Sequence, residues 1–105
     1  MRFVIAATVL AIAATSASAS EQIDCEVYDK IAKAAMEIRQ KGIAMADAIK
    51  PMSKKKSDPQ EEAVRVAMLT VFKEAYRSPR FDTPKYQMDA VSDFRSKIYS
   101  TCLDI

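Results

Sequence analysis

The chain has no histidine, no tryptophan, one glycine (Gly42) and two cysteines (Cys25 and Cys102) in 105 residues. Without histidine it lacks the commonest general base, triad partner and transition-metal ligand. The two cysteines are too far apart for a CxxC redox motif, and two lone thiols without histidine make a poor metal site. No P-loop, GxGxxG, EF-hand loop or HExxH occurs. Carboxylates, lysines, serines and tyrosines remain as candidates for catalysis. The nearest carboxylate pairs are Glu61-Glu62 and Asp89/Asp93. Glu61 has a helix-capping job, and Asp89 and Asp93 read as solvated charges near Lys85 and Lys97. We therefore assign no catalytic residue, no cofactor and no metal, and expect a protein that is not an enzyme.

Long hydrophobic runs are also missing, apart from one at the start. Met1-Arg2 supplies a short positive segment, Phe3 to Ala14 is apolar except for Thr8, and Ala17-Ser18-Ala19 fits a cleavage site. This is the layout of a secretory signal peptide over residues 1–19, with a mature chain starting at Ser20. The run is too short for the roughly 20 residues of a bilayer span, so no stable membrane insertion is expected after cleavage. Residues 20–105 then form a single domain of 86 residues, periplasmic or secreted. Loss of Arg2 would leave 15 basic against 14 acidic residues. That balance gives no overall field for nucleic acid. The one basic run, Lys54-Lys55-Lys56, has no aromatic interleaved for base stacking and reads as a solvated loop.

In an exported chain, two cysteines allow one disulfide, Cys25–Cys102. It would close nearly the whole domain, a loop worth about 4–5 kcal/mol on chain-entropy grounds. A metal pair is the other use for these thiols.

The hydrophobic pattern is helical throughout. A first helix is expected from about Asp24 to Gln40, with Tyr28, Ile31, Ala32, Ala35 and Ile38 on its apolar face and Gly42 just past its end. A weaker element over Ile43 to Met52 carries Met45, Ile49 and Met52. Pro51 should stop it and hold Lys50 out of the α region. Asp58, Pro59 and Glu61 mark the start of a further helix by capping and proline placement. Its stripe runs through Val64, Ala67, Met68, Val71, Phe72 and Ala75 to about Tyr76. A last helix should start at Asp82 or Thr83 with Pro84 at its first position, and carry Val91, Phe94, Ile98 and Cys102 along one face. The methionines after the signal read mainly as gap-fillers of a small core. The expected fold is all-α: a small bundle of three main helices plus one short helix, closed by one disulfide, with the first and last helices antiparallel.

The connector Tyr76-Arg77-Ser78-Pro79-Arg80-Phe81-Asp82-Thr83-Pro84 holds two prolines, two aromatics and two arginines. Prolines reduce the entropy lost in holding one shape, and aromatic plus arginine is the composition enriched at interface hot spots. With the end of the first helix it supplies our candidate interaction residues, Arg39, Tyr76 and Arg80. The structural alternative has Tyr76 and Phe81 covering the core while Arg80 meets a first-helix carboxylate or C-terminal carbonyls.

The run Met36-Glu37-Ile38-Arg39-Gln40-Lys41-Gly42 with Met45, then Ala75-Tyr76-Arg77-Ser78-Pro79-Arg80-Phe81, then Gln87, Ala90, Phe94 and Tyr99, forms a joint pattern between Cys25 and Cys102. It resembles a family of small exported, disulfide-closed helical proteins of proteobacteria and their phages. The resemblance spans nearly all of residues 20–105. It implies export, helices and the disulfide, and carries no activity or catalytic residue with it. A weaker similarity, of architecture only, is to the small periplasmic acid-stress chaperones. The function expected is non-enzymatic binding of an envelope or extracellular protein, with an acid- or envelope-stress chaperone as the alternative.

Overall fold

The computed structural model describes residues 23–103. The expected signal peptide, residues 1–19, and the expected new terminus at Ser20 lie outside the described residues. Among those described the chain is all-helical: α1 (Cys25–Gln40), α2 (Met45–Ile49), a 3₁₀ turn (Lys50–Met52), α3 (Pro59–Ala75) and α4 (Pro84–Leu103).

Local chemistry sets the helix ends. Gly42, at φ 85°, follows α1 in the left-handed conformation that glycine adopts without steric cost. Asp58 accepts the Glu61 N–H at 2.9 Å, and Pro59 takes the first position, where no amide hydrogen is needed. Glu62 ties down the loop ahead of the cap, its Oε1 accepting the Lys56 N–H at 2.7 Å. Thr83, not Asp82, caps α4, with its hydroxyl accepting from Tyr86 N at 3.3 Å. Lys50 differs from expectation, since it lies in the αR region before Pro51. The chain admits the proline by tightening from α to 3₁₀. Pro51 then falls in the first turn, where its missing N–H costs nothing.

Helix α1 lies between α3 and α4, which make little contact with each other. α4 runs antiparallel to it. Cys25 is bonded to Cys102, Tyr99 donates to Glu26 at 2.9 Å, and Arg95 meets both oxygens of Asp29 at 2.9 and 2.8 Å. α3 runs parallel to α1. Tyr28 and Ala63 share a cleft at one end, and Arg39 covers Tyr76 at the other. Ala32, Ala35 and Ala75 are fully buried, which lets the backbones approach closely. Met36, Val71, Phe72 and Phe94 fill the space between them, and Met52 closes it from the 3₁₀ turn. The α4 stripe faces this core as expected, yet Phe94 is its one buried member. Two methionines depart from the gap-filling expectation: Met45 is 37% and Met88 71% exposed.

Candidate functional site

The nine-residue connector has no ladder of its own, so its backbone groups need partners from elsewhere. The ends of α1 and α4 provide them. Arg39 Nε donates to Ser78 O at 3.0 Å. Gln40 Nε2 donates to Pro79 O at 3.0 Å, while Gln40 Oε1 accepts the Phe81 N–H at 2.8 Å. Gln87 Nε2 donates to Phe81 O at 2.7 Å. In return, Arg80 Nε donates to Gln40 O at 3.0 Å, one of the carbonyls that the end of α1 leaves without a helical partner. A cation at this end also complements the helix dipole.

The three candidate residues come together here. The Arg39 guanidinium lies 5.2 Å from the Tyr76 ring centroid, within cation–π range. Tyr76 O–H donates to Ile43 O at 2.6 Å, tying the α1–α2 turn to the end of α3. Burial pushes the Tyr76 phenol above its ordinary value, against the pull of the Arg39 cation. Gly42 packs against Arg80: a Cβ at that position would sit 3.0 Å from Arg80 Nε. Arg39 and Arg80 thus each commit Nε to a carbonyl, and among the described residues their Nη groups have no hydrogen-bond partner. Arg80 and the neighbouring Lys41 and Ile43 are exposed.

Two members of this corner did not figure among the sequence candidates. Gln40, 4% exposed, is the one buried polar residue among those described and bonds to both sides of the turn at Arg80. Gln87 holds the far end. The signal for Gln40 lay in the α1 stripe. Counting from Tyr28, positions eight and twelve further on are Met36 and Gln40, and both are buried. No local rule points to Gln87, because its partner Phe81 precedes its helix.

The carboxylate pairs separate into ordinary contacts. Glu62 forms a bidentate pair with Arg65 at 2.9 and 2.6 Å, and the Arg65 hydrogen bonds hold its carboxyl down at about 2. Asp89 meets Lys85 at 3.0 Å, whereas Lys97 goes to Glu74 at 2.8 Å and links α4 to α3. Among the described residues no group of three or more His, Cys, Asp or Glu side chains could hold a metal ion. No described helix is long and apolar enough to cross a membrane. The disulfide is compatible with an extracytoplasmic protein.

In comparisons with known proteins, no family model, curated protein or solved structure matches the chain.

Proposed function

We propose that this chain is a non-enzymatic periplasmic or secreted binding protein, and that it meets its protein partner with the corner formed by the end of α1 and the connector 76–84. The observation that carries the reading is the clamping of the connector by Arg39, Gln40 and Gln87. A loop already held in one shape loses little conformational entropy on binding. Its chemistry suits a partner with carboxylates: half-buried Arg39 and exposed Arg80 keep Nη donors without a hydrogen-bond partner among the described residues, and exposed Lys41 directly follows Gln40. Arginine and tyrosine are also the residues that most often dominate binding energy.

A pull-down from envelope extract tests this. The oxidised protein, tethered through Lys54–Lys56, should capture one partner saturably. Among the described residues the Lys41 side chain makes no bond, so Lys41→Glu should reverse local charge and weaken capture without loosening the connector. Arg39→Ala/Arg80→Ala should abolish capture. Capture by Lys41→Glu and the double variant at wild-type strength would refute the proposal.

The chaperone alternative draws on a different observation. Asp29–Arg95 and Glu74–Lys97 tie the helices through ionised carboxylates, so acid would loosen them. It predicts capture of unfolded proteins that begins only as those groups are protonated. A protein that stays folded at pH 3 and prevents no aggregation there would rule it out.

A further inference from the structure

A second surface, remote from the connector, has a different chemistry. A cleft of about 460 Å³ opens between the 3₁₀ turn and the first half of α3. Pro51, Met52, Val64 and Met68 supply its apolar lining, and Lys56 and Glu61 stand at its edge. Its volume is within the range of small-molecule sites. Lys54, Lys55 and Lys56 are exposed, and none of them enters an ion pair among the described residues. The other cation at the cleft, Arg65, is already satisfied by Glu62 and by Met52 O at 2.9 Å.

We propose that this cleft binds a single-chain aliphatic carboxylate, with the chain along Pro51, Met52, Val64 and Met68 and the headgroup at Lys56, the one lysine of the run that lines the cleft, with Lys54 and Lys55 adding positive charge from the same loop. Charge complementarity selects the anion. Glu61 selects against a more highly charged one, because its carboxylate stands at the same edge and has no cation partner among the described residues. A peptide fits less well. Its backbone N–H and C=O groups would need partners, and the Met52 carbonyl in this wall is already taken by Arg65. A bilayer fits less well too, since the lysine loop carries no aromatic to seat in a membrane interface.

The test is a titration of the oxidised protein with decanoate, below the concentration at which it forms micelles, followed by backbone amide NMR. Saturable shifts confined to about residues 50–68 are expected. Affinity should fall about twofold to fourfold for each methylene removed from the chain. A neutral alkyl glucoside of equal chain length should bind at least about tenfold more weakly. Lys54→Ala/Lys55→Ala/Lys56→Ala should weaken decanoate at least about fivefold, and Val64→Asp should weaken it through the lining. Glu61→Gln should tighten binding, because the carboxylate it removes stands at the same edge as the headgroup. Absence of saturation, equal binding by the triple-lysine variant, or binding seen only with vesicles of anionic phospholipid would each overturn the proposal.

Discussion

Gln40 Oε1 accepts the backbone N–H of Phe81 at 2.8 Å across 41 positions of sequence, while Nε2 of the same side chain donates to Pro79 O at 3.0 Å. One buried amide therefore supplies a donor and an acceptor to a segment with no regular structure. The close of α1 and the path into α4 depend on each other through it.

Replacing Gln40 by alanine removes both bonds and leaves Pro79 O and Phe81 N–H without them. The expected cost is about 2–3 kcal/mol, the scale for orphaning buried polar groups. Gln40→Glu keeps an acceptor for Phe81 but sets a carboxylate against the Pro79 carbonyl, so it should cost at least as much at neutral pH. Urea unfolding followed by circular dichroism measures both.

Gly42→Ala should destabilise the fold by about 1–2 kcal/mol. The backbone φ of 85° disfavours any Cβ, and Arg80 Nε would lie 3.0 Å from it. Gly42→Asn should cost less, because asparagine tolerates this region better. Thermal melts of the two variants beside wild type give the order.

Opening Cys25–Cys102 should lower stability by about 2–5 kcal/mol, because the bridge spans 77 positions and constrains most of the unfolded chain. The loss should begin at the end of α4, where Tyr99–Glu26 is the nearest remaining tie to α1. Urea unfolding with and without reductant, and with Cys25→Ser/Cys102→Ser, measures the change.

The pH dependence has two limbs. Glu62 titrates at about 2 against an ordinary 4.5, and Asp29 and Glu74 are also lowered, each chiefly by a hydrogen bond from its cationic partner. A lowered folded-state value means stability present above the ordinary carboxylate range and lost as pH falls. Stability should thus hold from neutrality to about pH 5 and decline from about 4.5 toward 2. Tyr76 and Tyr99 are raised above 10, Tyr76 by burial and Tyr99 by its bond to Glu26. Their contribution is present below pH 10 and lost as pH rises through the folded values. Glu62→Gln should flatten the acid limb of a plot of urea midpoint against pH.

Helix boundaries were the most legible feature of the sequence, because Asp58-Pro59, Thr83-Pro84 and Gly42 act within one turn of chain. The disulfide followed from there being one possible pair. The corner was legible only in composition. Arginine, tyrosine and proline marked the connector, and the structure brings Arg39, Tyr76 and Arg80 into contact with each other or with shared neighbours. For Arg80 the structure shows the structural alternative read from the sequence, a bond to a carbonyl at the end of α1, whereas the bond of Arg39 to Ser78 O, 39 positions away, is encoded by no local pattern. The ties Asp29–Arg95 and Glu74–Lys97 stayed hidden for the same reason, since each needs the packing of two helices to be known first.

Native-state hydrogen exchange tests most directly that the connector is preformed. The Phe81 amide lies outside any helix, yet Gln40 holds it. It should exchange at least about a thousandfold more slowly than an open loop, close to the amides of buried Val71 and Phe72, and lose that protection in Gln40→Ala. A Phe81 amide in the wild type that exchanges at the rate of an unstructured peptide would contradict the account.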